Sequence, residues 1–135
     1  MFAVQNADAR ILKTEVFTAM KVSEIASLID AKIYCGGGDD APDIHCAFAC
    51  DMMSDVLAFV KSQAVLITGL VNPQVIRTAE MMDIPCVIIV RGKEPTPLML
   101  ELAEDSGITV MSTKLRMFAV CGILYNKGLP ADAGE

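Results

Sequence analysis

The chain has 135 residues with a formal net charge of −6, and 53% of its residues are hydrophobic. This length predicts one domain with a substantial buried core. The acidic balance argues against nucleic-acid binding, because that requires clustered basic residues to neutralise phosphates and the Lys and Arg residues here are scattered. No apolar run reaches the roughly 20 residues of a membrane-spanning helix, so no membrane contact is expected. The five cysteines form no regular framework, which favours the reducing cytoplasm.

The first part of the chain predicts a helix and a strand behind an N-terminal extension. Residues 1–19 lie outside any clear pattern, and we expect the domain itself to span 20–128. Ser23 is placed to cap a helix over 24–29, whose apolar residues recur at helical spacing. A short strand over 32–35 then ends at a solvent-exposed turn of three glycines and two aspartates.

A second strand and a second helix are predicted next. Weak alternation of apolar residues indicates a buried strand around 44–49. Asp51 or Ser54 could then cap a helix over 55–61, in which apolar residues again fall at helical spacing.

Residues 64–113 contain two copies of one strand–loop–helix pattern. Each copy begins with an apolar run, breaks at a glycine and resumes at a polar residue followed by proline: Gly69 with Asn72-Pro73, and Gly92 with Thr96-Pro97. Asn and Thr can accept a hydrogen bond from the first helical turn, and Pro suits the first helical position. Two such units feeding a third strand at 109–111 predict a small single α/β domain with a mostly parallel sheet flanked by helices.

The end of the chain predicts one more helix. Ser112 and Thr113 are expected to close the third strand and to cap a helix over 114–126, which stops at Lys127-Gly128. Five residues of this helix are expected to face the sheet: Leu115, Phe118, Ala119, Gly122 and Ile123. Residues 129–135 are expected to form a flexible tail.

A ligand site is predicted at the carboxyl ends of the parallel strands, where α/β sheets usually bind ligands. The loops 68–72, 91–96 and 112–114 should meet there, and each leads to a helix N-terminus, which favours anions. Lys114 and Arg116 add positive charge to the same edge. The candidate binding residues are Gly69, Asn72, Arg91, Gly92, Lys93, Thr96 and Thr113. The alternative is that the glycines only make tight turns and the basic side chains are solvated.

Catalytic and metal-binding patterns are weak. Gly92-Lys93 is followed by Glu94, so the chain has no phosphate-binding loop of the G-x-x-x-x-G-K-[ST] type. His45, Cys46 and Cys50 could ligate zinc together with Cys35, but no CxxC pair exists, and a core or interface role is favoured for these cysteines. Cys86 and Cys121 lie in apolar runs that disfavour a thiolate. We therefore expect no catalytic residue, no metal and no cofactor.

Three stretches of the chain resemble the DRTGG domain family: MKVSEIASLIDAKIYCGG, AVLITG and CVIIVRGKEPTPLMLELAEDSGITVMST. The resemblance covers about 20–128. It implies a small α/β module that is regulatory or dimerising rather than catalytic, and that occurs in other proteins beside CBS domains or a kinase. The Gly-Asp-Arg motif of the family aligns with Gly69-Leu70-Val71, where only the glycine is kept. The Thr-Gly-Gly motif aligns with Arg91-Gly92-Lys93, where one glycine is kept. The Asp-Thr of the family falls near Thr113-Lys114.

These observations lead to two hypotheses about function. The first is a non-enzymatic regulatory module of the cytoplasm that forms a homodimer, with a further protein partner in a signalling or metabolic pathway as an open alternative. A mean hydropathy of +0.47 supports it, because so apolar a small chain is expected to expose a patch for a partner. The second is a small-molecule sensor that binds an adenine nucleotide or another anion at the candidate residues.

Overall fold

Five strands form one sheet in the computed structural model, which describes residues 19–61 and 63–131. The strands are β1 (Lys32–Cys35), β2 (Cys46–Ala49), β3 (Ala64–Thr68), β4 (Cys86–Ile89) and β5 (Thr109–Ser112). Their order in the sheet is β1-β5-β4-β3-β2. β2 to β5 are parallel, and β1 is antiparallel to β5 at one edge. The predicted α/β class with a mostly parallel sheet is confirmed.

Five helices in the described part of the chain cover the two faces of the sheet. They are α1 (Val22–Leu28), α2 (Met53–Phe59), α3 (Pro73–Met81), α4 (Pro97–Ser106) and α5 (Met117–Asn126). α1 and α5 pack on one face, and α2, α3 and α4 pack on the other. The central strand β3 is buried along its whole length: Leu66 belongs to the core under α2–α4, whereas Val65 and Ile67 belong to the core under α1 and α5. A strand covered on both faces requires the continuous apolar run that the sequence shows.

The two polar–Pro pairs begin helices as predicted. The Asn72 side chain accepts a hydrogen bond from the Gln74 N–H at 2.8 Å, and Pro73 is the first residue of α3. The Thr96 hydroxyl accepts from the Met99 N–H at 3.2 Å at the start of α4. Both helices therefore start from loops that follow β3 and β4, at the carboxyl ends of these strands.

The caps predicted for the first two helices are wrong. α1 starts at Val22, so Ser23 lies inside it, and the Glu24 carboxylate accepts from the Lys21 N–H at 3.0 Å. α2 runs over Met53–Phe59 rather than 55–61, with Met52 at the cap position and no side-chain cap. Ser54 lies inside α2, and Asp51 binds the loop after β3 instead.

β2 exists where a strand was predicted, but it is not a buried strand. Among the described strands it pairs only with β3, and its residues are half-buried or exposed because it forms the edge of this sheet. The chain after α5 contacts the outer side of β2. The Ala47 N–H donates to the Pro130 carbonyl at 3.0 Å, and the Leu129 side chain is buried. Residues 129–131 of the predicted tail therefore lie against β2. Residues 132–135, and residues 1–18 of the extension predicted over 1–19, lie outside the described part of the chain.

The last helix starts later and faces differently than predicted. α5 begins at Met117, and neither Ser112 nor Thr113 caps it. Val120 and Leu124 are buried against the sheet, whereas Phe118, Ala119 and Gly122 are exposed. α5 is apolar on every side, so the spacing of its apolar residues did not identify the buried face. The predicted stop holds, because α5 ends at Asn126 and Gly128 follows with φ of 104°.

Candidate functional site

The loops after the parallel strands meet at one edge of the sheet, as predicted. The Lys93 ammonium donates to the Gly69 carbonyl at 2.8 Å, which joins the loops after β4 and β3. The Gly92 N–H donates to the Thr113 carbonyl at 2.8 Å, which joins the loops after β4 and β5. Four of the seven candidate residues are thus in contact through two hydrogen bonds.

Asp51 organises this edge, although the sequence suggested only a capping role for it. Its Oδ1 atom accepts from the Gly69 N–H at 2.7 Å and from the Thr68 hydroxyl at 3.0 Å. The Thr68 hydroxyl in turn accepts from the Leu70 N–H at 3.1 Å. The position of Asp51 directly after β2 could have predicted this role. In a parallel pair the carboxyl ends of β2 and β3 lie side by side, so a residue after β2 can reach the loop after β3.

We expect Asp51→Ala to lower the free energy of unfolding by roughly 1.5 kcal/mol, because a charge-assisted hydrogen bond to a backbone amide is lost and the Gly69 N–H loses its acceptor. Ser54→Ala is the matched control, since that side chain was the other predicted cap and lies exposed within α2. Urea unfolding followed by circular dichroism measures both variants. Equal stability of the two would contradict the role given to Asp51.

Arg91 holds an unusual backbone conformation at this edge. Its φ is 66°, and Gly92 follows with φ of 71°. The Arg91 N–H donates to the Leu115 carbonyl at 2.8 Å, which holds the turn in place. The guanidinium lies over Gly69, where an added methyl group would be 3.4 Å from Nη2 of Arg91 and 3.6 Å from Oδ1 of Asp51. A left-handed non-glycine residue is uncommon and costs free energy, and here it places a cation above the β3 loop.

Four of the backbone donors expected to bind an anion already have partners within the chain. The Gly69 amide donates to Asp51, and the Gly92 amide donates to the loop after β5. In the first turns of α3 and α4, the Gln74 N–H is bound by the Asn72 side chain and the Met99 N–H by the Thr96 side chain. An anion at this edge would therefore be held by the exposed side chains of Arg91 and Lys93 rather than by these amides.

An open cleft of about 400 Å³ lies beside this edge, between the end of α1, β1 and the loops after β4 and β5. Of the seven candidates, Gly92 and Thr113 line the cleft, and Gly69, Asn72, Arg91, Lys93 and Thr96 do not. The Thr113 hydroxyl donates to the Ile29 carbonyl at 2.8 Å and so holds α1 against the loop after β5. The charged side chains on the cleft wall are of both signs: Asp30, Lys32, Glu94 and Lys114.

The region around β1 was missed as part of a site. The Lys32 ammonium lies 4.7 Å from the centre of the Tyr34 ring, and both residues line the cleft. No local signal marks them, because they reach the loops after β4 and β5 only through the antiparallel pairing of β1 with β5.

The cysteines and the histidine are not brought together as a reactive centre. No disulfide joins the five cysteines, and the described residues contain no group of three side chains placed to hold a metal ion. His45 is exposed and Cys46 half-buried, whereas Cys86 is fully buried. Burial raises the pKa of the Cys86 thiol to about 12. Burial also raises the pKa of Cys35 and of Cys121, so none of these three thiols is an activated nucleophile.

We expect Cys86 to react with Ellman's reagent at about pH 8 only as fast as the chain unfolds, because only an accessible thiolate reacts. Cys50, which is half-buried, should react before global unfolding. In the unfolded chain the Cys86 thiol has a pKa of 9.0, and in the folded chain its pKa is about 12. Burial of the neutral thiol therefore contributes its full stability below pH 9.0, and this contribution is lost as the pH rises towards 12. Mass spectrometry of the labelled peptides measures the order, with all five thiols labelled in denaturant as the control. Rapid labelling of Cys86 would contradict this burial.

The fold and the edge together define a small three-layer α/β domain with a charged loop edge and no reactive centre among the described residues. Residues 24–126 match the model of the DRTGG domain, and the chain belongs to this family. The family resemblance predicted from the sequence is confirmed. A comparison with curated proteins gave no match. In the described residues, no helix has the length and apolar character that crossing a membrane requires.

Solved structures similar to the chain include one that it matches over most of its length. It contains the CBS and DRTGG domains of the regulatory region of Clostridium perfringens pyrophosphatase, complexed with the activator diadenosine tetraphosphate. The TM-score is 0.69 and the sequence identity is 18%. The match covers 92% of this chain and 52% of that chain, so this chain corresponds to about half of the regulatory region. At this identity the similarity supports the fold.

Proposed function

We propose that this chain is a non-catalytic regulatory module of the cytoplasm that works by forming a homodimer. One observation carries the proposal: the outer face of α5 presents large apolar side chains to solvent. Phe118 is 90% exposed and Tyr125 is 63% exposed. The regulatory region that contains a DRTGG domain in the similar pyrophosphatase supports the regulatory part of the proposal.

The composition of α5 strengthens this choice of face. α5 contains no charged residue, whereas each of the other four described helices contains at least one. Solvent-facing helix surfaces normally carry charged residues. A contiguous apolar patch on a small domain usually marks an interaction site, and a dimer would remove this one from water.

A homodimer predicts a melting temperature that depends on protein concentration, because association stabilises the folded chain by mass action. We expect the midpoint to rise by several degrees between about 1 and about 100 µM chain. Calorimetry or circular dichroism measures the shift. A midpoint that stays constant over this range would contradict self-association.

The cleft supports a second candidate function, the binding of a small anionic ligand. Its volume of about 400 Å³ falls within the range of ligand pockets. Lys32 and Lys114 could contact phosphate groups, and the Tyr34 ring could stack on a base. An adenine nucleotide is the first choice of ligand, because the similar regulatory region is complexed with diadenosine tetraphosphate. The carboxylates of Asp30 and Glu94 would select against ligands that place phosphate beside them.

A thermal-shift comparison of ATP, diadenosine tetraphosphate and inorganic phosphate tests this second candidate. A ligand at about 100 times its dissociation constant should add about 2.7 kcal/mol of stability. Lys114→Gln should abolish the shift, and Arg77→Gln on the exposed side of α3 is the matched control. A shift that survives Lys114→Gln would place the ligand elsewhere, and the absence of any shift would favour a pure interaction module.

A further inference from the structure

We infer that α5 pairs with α5 of a second copy in an antiparallel crossing centred on Gly122. This inference rests on the proposed homodimer and assigns its interface. The groove beside α5, the pattern of side chains along it and the area that it exposes each support the assignment.

The exposed residues of α5 are arranged symmetrically about Gly122. Phe118 precedes Gly122 by four residues and Tyr125 follows it by three, so all three lie on one side of the helix. At a rise of 1.5 Å per residue, Phe118 lies about 6 Å before Gly122 and Tyr125 about 4.5 Å after it. A twofold axis at Gly122 therefore brings Phe118 of each copy opposite Tyr125 of the other.

Nothing among residues 19–61 and 63–131 explains a glycine at position 122. Glycine in a helix interior is less favourable than alanine, and a methyl group added at Gly122 would meet no atom within 4 Å. A second helix crossing at this point does explain it, because the missing side chain lets two backbones approach closely.

An apolar groove of about 330 Å³ lies next to the protruding Phe118. It runs between α5 and residues 129–131, and its lining includes Ile67 and Ala47. A surface that carries both a protruding aromatic ring and an apolar groove can bind an identical surface, which is the geometry of a twofold dimer. A different partner would have to supply both features independently.

The area of this face suits a dimer. With a full aromatic side chain at about 200 Å², the exposed parts of Phe118 and Tyr125 amount to about 300 Å² in each copy. A stable interface buries roughly 800 Å² on each partner, so these two side chains alone would supply more than a third of it. Phe59 on α2 and Met81 on α3 are also exposed, but charged residues of their own helices lie near them in sequence, including Asp55 and Glu80.

Three full-length proteins test the interface by sedimentation velocity at about 50 µM chain. They are the wild type, Gly122→Glu, which places two carboxylates at the crossing point, and Met81→Glu, a matched control on the opposite face of the sheet where the side chain is 68% exposed. We expect the wild type and Met81→Glu to be dimers with similar dissociation constants. Gly122→Glu should raise the dissociation constant at least about 100-fold without changing the circular dichroism spectrum.

The outcomes separate this inference from the proposed function. A Gly122→Glu protein that dimerises as tightly as the wild type would overturn the α5 interface but leave the homodimer in place. A monomeric wild type would overturn both. In that case the face would be left for another occupant, either residues 1–18 or a different protein.

Discussion

Gly36→Ala is expected to lower the free energy of unfolding by about 4 kcal/mol, because it combines backbone strain with a steric overlap. Gly36 follows β1 with φ of 74°, a conformation that is unfavourable for alanine. The added methyl group would also lie 2.6 Å from the Thr109 hydroxyl oxygen and 2.8 Å from the Thr109 Cα. Because one of these atoms belongs to the backbone of β5, the overlap can be relieved only by separating the edge strand from the sheet.

Gly38→Ala in the same turn is the matched control. Gly38 does not have a positive φ, and a methyl group there would lie at ordinary contact distance, 3.5 Å from Oδ1 of Asp40. We expect its effect to stay within about 0.5 kcal/mol. Urea unfolding at one fixed protein concentration measures both variants. If Gly36→Ala were as stable as Gly38→Ala, the close approach of this turn to β5 would be wrong.

Leu66→Ala is expected to lower the free energy of unfolding by about 3 kcal/mol, from lost burial and from the cavity that it leaves. Leu66 is fully buried in β3, the strand between β2 and β4. Its side chain belongs to the core beneath α2, α3 and α4, which includes Val56 and Ile76. Three helices converge on this core, so we expect little relaxation to fill the space.

Leu57→Ala provides a leucine control of the same size change. Leu57 lies on α2 with 39% of its surface exposed, and we expect a loss below about 1 kcal/mol. Chemical unfolding with the same denaturant slope for both variants would show that stability alone has changed. Similar losses for the two leucines would contradict the burial of β3 on both faces.

The sequence was sufficient where the structure depends on neighbouring residues. Asn72-Pro73 and Thr96-Pro97 start helices because each polar side chain binds an amide two or three residues further along the chain. The apolar runs of β3 and β4 are continuous because helices cover both faces. These local features, repeated in tandem, fix the parallel part of the sheet.

The sequence was insufficient where the structure depends on distant residues. Asp51 could have capped a helix, but the pairing of β2 with β3 brings it to Gly69 instead. α5 is apolar on all sides, so its buried face is decided by contact with β3 and α1 rather than by spacing. The cleft depends on the antiparallel pairing of β1, which places Lys32 opposite Ser112.

The predicted ligand site also depends partly on neighbouring residues and partly on residues distant in sequence. The convergence of the three loops followed from parallel strands, and the structure brings Gly69, Lys93, Gly92 and Thr113 into contact. The Gly69 and Gly92 amides bind acceptors that are distant in sequence, whereas the helix-start amides of α3 and α4 are bound by the nearby caps. Hydrogen bonds thus hold the loops of this sheet edge together, and Arg91 and Lys93 lie exposed on it. Ligand binding at this edge stays a proposal.

Sedimentation equilibrium of the full chain between about 5 and about 100 µM tests the homodimer most directly. We expect a reversible monomer–dimer equilibrium in which the average mass approaches twice 14.5 kDa at the highest concentration. A single species of 14.5 kDa over the whole range would contradict the homodimer.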